Sequence, residues 1–290
     1  MRGTGIGAWA GGPLPDQPVL DLVEVHVLPY TFDDTSFDAL ARLGRLRVLQ
    51  TLTAGYEHVL PRLPPGVTLC NAGSVHDDST AELAVALALA AQRGIADFVR
   101  AQDGRRWAHA AYPSLADRRV LVVGAGGVGS GVARRLEPFE CDVRLVARTA
   151  RTGIHGVDEL PELLTDAQVV VLAIPLTPQT RGMVGAAFLA SMPDGALLVN
   201  VSRGPVVDTA ALLAETTTGR LRAALDVTDP EPLPADHPLW RSPGVLISPH
   251  VGGNTSAFWP RARRLVEQQL VRLAAGQPPL HQVGGPTLVS

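Results

Sequence analysis

The chain has 290 residues, 46% of them apolar, enough core material for two domains of ordinary size. A formal charge of −3 offers no basic field to nucleic acid, and the arginines are scattered rather than clustered. All 25 basic residues are arginine, so Schiff-base chemistry and a phosphate-loop lysine are excluded outright.

The first stretch, "MRGTGIGAWAGGPLPDQ", is broken by glycine and proline and lacks the continuous apolar core of a signal peptide. Apolar runs then alternate with helical patterns, which argues for parallel sheets with crossover helices. "VEVHVLPY" reads as a strand, "FDALARLG" as a helix, and "LRVLQTL" and "GVTLCN" as strands, together a small α/β layer. "STAELAVALALAAQRGIADFVRAQ" predicts one long helix, started by Ser79 or Thr80 ahead of Glu82, linking two domains. Its alanine-rich run from Ala81 to Ala91 carries Glu82 and is too short to span a bilayer. Cys70 and Cys141 lie far apart and read as buried reduced thiols, with neither a disulfide nor a metal site. A cytoplasmic protein with no membrane contact and no nucleic-acid partner is expected.

From Arg118 onward six strand candidates follow, in "RRVLVV", "CDVRLVAR", "DAQVVVLAIPL", "GALLVNVSRG", "LRAALDV" and "GVLISPH", separated by helix-sized segments. That is the layout of a doubly wound dinucleotide domain. A last helix, "SAFWPRARRLVEQQLVRLAAG", ends in glycine with prolines beyond it.

Gly124, Gly126 and Gly129 fit Gly-x-Gly-x-x-Gly between the strand "VLVV" and the helix "SGVARRL". Such glycines permit a tight turn and a close approach of the backbone to a pyrophosphate at the helix N-terminus. The tip of the next strand, where NAD enzymes place an acidic residue about 20 residues past the glycines, reads Ala147, Arg148, Thr149, with Arg151 close behind. Two guanidinium groups suit a ribose 2′-phosphate, so NADP(H) is the preferred cofactor and NAD(H) a possible one; a solvated arginine pair is the alternative. The cofactor set is Gly124, Gly126, Gly127, Val128, Gly129, Arg148 and Arg151, with Pro175 after "VVVLAI" and Asp226 after "LRAAL".

Ligands of an open α/β sheet gather outside the carboxyl ends of its strands. Arg203 follows "LLVNVS", Asp226 follows "LRAAL" and His250 follows "GVLISP", while Glu231 lies five residues past Asp226 in a proline-rich loop. Hydride transfer to a keto carbon leaves negative charge on oxygen, which calls for a proton donor and a fixed positive charge. His250 is the candidate acid, Glu231 its partner, and Arg203 the group that holds the carbonyl oxygen and a neighbouring carboxylate.

"VLVVGAGGVGSGVARRL", "LLVNVSRGPVVDTAALLA", "LDVTDPEPLPADHPLW" and "ISPHVGGNT" together resemble the D-isomer-specific 2-hydroxyacid dehydrogenase family, from about Thr51 to Val283. The resemblance implies that Arg203, Glu231 and His250 are the catalytic arginine, glutamate and histidine, and that Asp226 lies beside the nicotinamide. "TAGYEHV" is similar to the family's substrate loop, so the N–H groups of Ala54 and Gly55 would join Arg203 in binding the substrate. The fold implied is α/β with two domains: a doubly wound (Rossmann) cofactor domain at 79–265, and a smaller flavodoxin-like substrate domain at 1–78, abbreviated at its start and completed by 266–290. The active site would lie in the cleft, and a homodimer is implied.

The missing acidic residue is similar to the family's NADP-dependent glyoxylate and hydroxypyruvate reductases, which points to a small 2-keto acid substrate and a D-2-hydroxy acid product. Two rivals stay open: a reductase of a bulkier or phosphonate-bearing keto acid, with Phe258 and Trp259 in its pocket wall, and a non-catalytic dinucleotide-sensing protein.

Overall fold

Three short apolar runs become parallel strands, β1 (Val25–Val27), β2 (Val48–Gln50) and β3 (Thr68–Cys70), after a single-turn helix α1 (Gln17–Leu20). β2 and β3 are buried on both faces, which parallel strands covered on both sides require. The helix expected over "FDALARLG" is instead a pair of 3₁₀ turns, Asp34–Phe37 and Leu40–Arg42. Phe37, Leu40, Leu43 and Leu46 recur every third residue and all pack into one core, a spacing closer to the three residues per turn of a 3₁₀ helix than to the about 3.6 of an α-helix. The coordinates, a computed structural model, describe residues 16–30 and 34–286.

The larger unit, Asp77–Thr255, opens with α2 (Asp77–Gln92) and α3 (Ile95–Asp103), which replace the single helix expected from Ser79 to Gln102. Gly94 separates them at φ +62, a conformation that stops one helix and lets another begin. The start also lies two residues earlier, with Asp77 and Asp78 both in the first turn, where carboxylates meet the positive end of the helix dipole.

All six expected strands are present: β4 (Arg119–Val123), β5 (Asp142–Ala147), then β7 (Val169–Leu172), β8 (Leu197–Asn200), β9 (Arg222–Leu225) and β10 (Val245–Ile247), plus a two-residue edge strand β6 (His155–Gly156). The crossover helices are α4 (Gly127–Leu136), α5 (Leu160–Leu164), α6 (Ala186–Ser191) and α7 (Thr209–Thr217). The sheet runs β10-β9-β8-β7-β4-β5-β6, all parallel. The order reverses between β4 and β7, which places the switch point at the glycine loop. Val120, Val122, Val169, Val171, Leu197 and Val199 pack against Ala81, Ala84 and Ala88 of α2. Leu121, Val170, Leu172 and Leu198 face the other way, onto Leu163, Leu164, Leu189 and Leu212. Alternate residues of each strand thus fill two apolar layers, and the strands read as unbroken apolar runs.

The smaller unit joins the residues up to His76 with those from Ser256 on. It holds the last helix whole, α8 (Phe258–Ala274), so the boundary expected at 265 lies at 255. The closing strand β11 (Gln282–Gly284) pairs antiparallel with β3. Among the described residues no helix is long and apolar enough to cross a membrane. Both cysteines are free thiols; burial pushes Cys70 up to about 11, whereas Cys141 is only half-buried.

Candidate functional site

At the end of β4 the chain must turn sharply into α4, and its glycines divide by what presses on them. Gly124, at φ +116, lies so close to the Ala173 carbonyl that a Cβ would sit 2.2 Å from its oxygen. A Cβ on Gly129 would lie 1.7 Å from the carbonyl oxygen of Gly124. These two make the turn. Gly126 faces open space, with nothing within 4 Å of an added Cβ. It is the N-cap of α4, so the turn leaves an uncovered cradle beside unpaired N–H groups, where a dinucleotide pyrophosphate fits. Val128 is half-buried and Gly127 exposed; the Asp77 carboxylate rests against Gly127.

Arg148 and Arg151 are exposed at the tip of β5, and among the described residues neither pairs with a carboxylate. Arg151 donates from Nη2 to the carbonyl of Ala125 at 3.4 Å, which brings it beside the glycine loop. Pro175 follows β7 on the same strand-end edge, its carbonyl accepting from Thr180.

Arg203, Glu231 and His250 come together outside β8, β9 and β10. His250 Nδ1 and Glu231 Oε1 are 2.5 Å apart. Glu231 holds the imidazole above its usual 6.5, the hydrogen bond acting before the charge, while burial opposes it. His250 in turn holds the Glu231 carboxyl below its usual 4.5, helped by the Thr228 N–H and the positive charge of Arg203. Each partner thus favours the charged form of the other, and in the carboxylate–imidazolium pair Nδ1–H donates to Glu231 and Nε2–H is left for a ligand. Arg203 donates to the carbonyl of Ser202 at 2.7 Å and pairs with no carboxylate among the described residues.

Backbone packing sets this cluster. A Cβ on Gly204 would lie 1.8 Å from the carbonyl oxygen of Thr228, so only glycine lets the chain beyond Arg203 pass under the loop that carries Glu231. Asn200, 1% exposed, accepts from the N–H and the hydroxyl of Ser202 and donates to the carbonyl of Arg203.

Asp226, the residue placed beside the nicotinamide by resemblance, is 3% exposed and both of its oxygens are engaged within the chain. Oδ1 accepts from Ser248 Oγ at 2.6 Å and Val251 N at 2.9 Å, and Oδ2 from Gly252 N at 2.9 Å. This geometry makes it the anchor of the loop that presents His250. Ser248 and Asn200, the supports on either side, carry no sequence signal of their own, because each acts through a partner distant in the chain or through the backbone.

In the smaller unit, "TAGYEHV" forms an irregular loop after β2. The N–H groups of Ala54 and Gly55 have no hydrogen-bond partner among the described residues. Phe258 is not a free pocket wall: it is 3% exposed and packs against Tyr30 and His76, while Trp259 is 62% exposed.

Residues 85–252 match the family model for the D-isomer specific 2-hydroxyacid dehydrogenase NAD-binding domain. A human glyoxylate reductase/hydroxypyruvate reductase is 32% identical over 81% of this chain and 76% of its own. A D-3-phosphoglycerate dehydrogenase of Archaeoglobus fulgidus is also 32% identical, over 77% of this chain and 44% of its own. Among solved structures, the D-isomer specific 2-hydroxyacid dehydrogenase of Xanthobacter autotrophicus Py2, in complex with NADPH and MES, superposes with a TM-score of 0.78 at 34% identity, covering 91% of this chain and 85% of that one.

Proposed function

This chain belongs to the D-isomer specific 2-hydroxyacid dehydrogenase family, and as an oxidoreductase of that family we propose that it reduces a small 2-keto acid, such as glyoxylate or hydroxypyruvate, with NADP(H). The observation that carries the reading is the 2.5 Å contact of His250 with Glu231 beside Arg203, which pairs with no carboxylate among the described residues. Bound at the glycine loop, the dinucleotide supplies the hydride that reaches C2. The remaining work belongs to side chains. The Arg203 guanidinium stabilises the charge gathering on the carbonyl oxygen, and His250 Nε2 hands that oxygen its proton, giving the hydroxyl. Glu231 keeps the imidazole charged and oriented before transfer, and the reverse reaction uses the neutral ring as base. The substrate carboxylate is assigned to the N–H groups of Ala54 and Gly55.

Preference for NADP(H) is supported by two exposed arginines and no carboxylate at the tip of β5, and by the NADPH in the Xanthobacter structure. A small substrate is supported by the likeness to the human glyoxylate reductase/hydroxypyruvate reductase. We also assign the chain to the cytoplasm, in keeping with its two free thiols, and to a homodimer formed through α3 and the segment after it.

The test is loss of NADPH or NADH absorbance with glyoxylate, hydroxypyruvate, pyruvate, phenylpyruvate, phosphonopyruvate and the keto acid of 3-phosphoglycerate. Turnover is expected with the small acids, and Arg148→Ala with Arg151→Ala should raise the KM for NADPH about tenfold while leaving NADH unchanged. Equal Michaelis constants for the two cofactors would overturn the NADP assignment; turnover of the phosphorylated acid alone would overturn the substrate.

A further inference from the structure

We infer that Asn71 and His76 are positioning residues: by holding the carbonyl oxygens of Ala54 and Leu52 they lock the loop after β2 with its N–H groups turned outward, as a receptor for a carboxylate. Four consecutive carbonyl oxygens in this loop each take a donor. His76 Nε2 reaches Leu52 O at 2.8 Å. Thr53 O accepts from Thr51 Oγ1 and from Ala72 N, both at 3.0 Å. Asn71 Nδ2 reaches Ala54 O at 2.7 Å, and Thr53 Oγ1 reaches Gly55 O at 2.7 Å.

In a trans peptide the carbonyl of one residue and the N–H of the next point in opposite directions. Holding Leu52 O therefore turns out the N–H of Thr53, holding Thr53 O turns out that of Ala54, and holding Ala54 O turns out that of Gly55. None of these three N–H groups has a hydrogen-bond partner among the described residues. Successive outward N–H groups make an anion-binding concavity without a charged side chain.

The braces are themselves held. Asn71 accepts the Gly73 N–H on Oδ1 at 3.0 Å, which leaves Nδ2 as the end facing Ala54. Its own carbonyl accepts from Gln50 Nε2 at 2.9 Å, and its N–H donates to His281 O at 3.1 Å. His76 is 8% exposed and stacks on the rings of Tyr30, at 5.6 Å, and Phe258, at 5.3 Å, which also touch each other. A carbonyl only accepts, so Nε2 carries the hydrogen that fixes Leu52.

This inference rests on the reaction proposed above for what the loop receives, so its test reads binding separately from turnover. Asn71→Asp keeps the shape and the acceptor for Gly73 N–H but sets a carboxylate against Ala54 O. His76→Phe keeps the aromatic stack and removes only the donor. The probe is oxamate, titrated by calorimetry into NADPH-loaded protein, alongside kcat and KM for glyoxylate.

Asn71→Asp is expected to weaken oxamate and raise KM about 10- to 100-fold near neutral pH, the value of a hydrogen bond to a charged group. His76→Phe should do so about tenfold. In both, kcat and NADPH affinity should stay within about threefold, which loss of one ground-state contact allows. Lowering the pH protonates the introduced carboxyl and restores a donor, so the Asn71→Asp defect should shrink in acid relative to the parent protein. A change that is only structural damage would not recover. Weakened oxamate binding in a protein that turns over no keto acid would uphold the brace and overturn the reaction. Unchanged oxamate affinity and KM in both variants, or parallel loss of NADPH affinity, would overturn the brace. A parent protein that neither binds oxamate nor turns over would overturn both.

Discussion

His250 stands at φ +52, outside the conformations a histidine ordinarily takes, and Asp226 holds it there through Val251 N, Gly252 N and Ser248 Oγ. A strained residue kept by a buried anchor is what a site that must present one ring nitrogen requires. The pH dependence follows from its partner. Reduction uses protonated His250, whose pKa Glu231 raises above 6.5, so kcat/KM for the keto acid should be flat in mild acid and fall as pH passes that raised value. In Glu231→Gln the alkaline limb should move to lower pH, and His250→Gln should lower kcat about 100- to 10,000-fold; steady-state rates across pH check both. Stability carries the same signs. The raised histidine contributes below 6.5 and is lost as pH rises through its folded value, whereas the lowered glutamate contributes above 4.5 and is lost as pH falls through its own. The deficit in melting temperature of Glu231→Gln should therefore be greatest between these limits and fade at both ends.

At this scale Arg203, Glu231 and His250 were legible because apolar runs mark strand ends, and polar residues just past strand ends share an edge. Asn71, His76 and Ser248 were not, since they bond to backbone groups or to residues far along the chain, and no spacing announces such partners.

Among the elements, the glycines show how one residue type serves two ends. Gly204 has the backbone of Thr228 where a Cβ would be, and Gly126 has nothing. Gly204→Ala is expected to cost about 3 kcal/mol of stability, since neither chain can yield. Gly126→Ala, at φ −84, should unfold at the same denaturant concentration as the parent yet bind NADPH at least about tenfold more weakly, because its methyl fills the pyrophosphate cradle. Denaturant titration and cofactor fluorescence separate the two; equal stability loss in both would refute the division. The motif "GAGGVG" made the loop readable, but not which glycine serves the turn and which the ligand, as that depends on Ala173 and Asp77, brought near only by folding. The helix over 79–102 was misjudged for a related reason. Gly94 inside an apolar pattern reads as tolerated, whereas here the ring of Tyr112 lies where its Cβ would be, and the chain turns. The parallel sheet itself was almost wholly legible, because strands buried on both faces leave runs of valine and leucine that few other elements produce.

For the molecule as a whole, the largest apolar group left to water among the described residues is Trp107, 98% exposed, with Ile95, Val99 and Phe98 of α3 at 48%, 52% and 38%. The segment carrying it is tied down. Arg106 N donates to Ala101 O at 2.8 Å, and Tyr112 packs edge-on to Phe98 at 5.2 Å while its hydroxyl donates to Asp97 at 3.0 Å. Order is thus spent on holding an indole outward, where water gains nothing from it. A second copy using the same face would bury it twice, since a two-fold interface repeats every contact. Removing a central aromatic anchor costs about 2 kcal/mol per copy, so Trp107→Ser should weaken dimerisation about 1000-fold with little change in the unfolding of the monomer. Sedimentation velocity at micromolar concentration should find the parent protein as a dimer and the variant as largely monomeric. A parent that sediments as a monomer, or a variant that stays dimeric, would remove this face from the assembly.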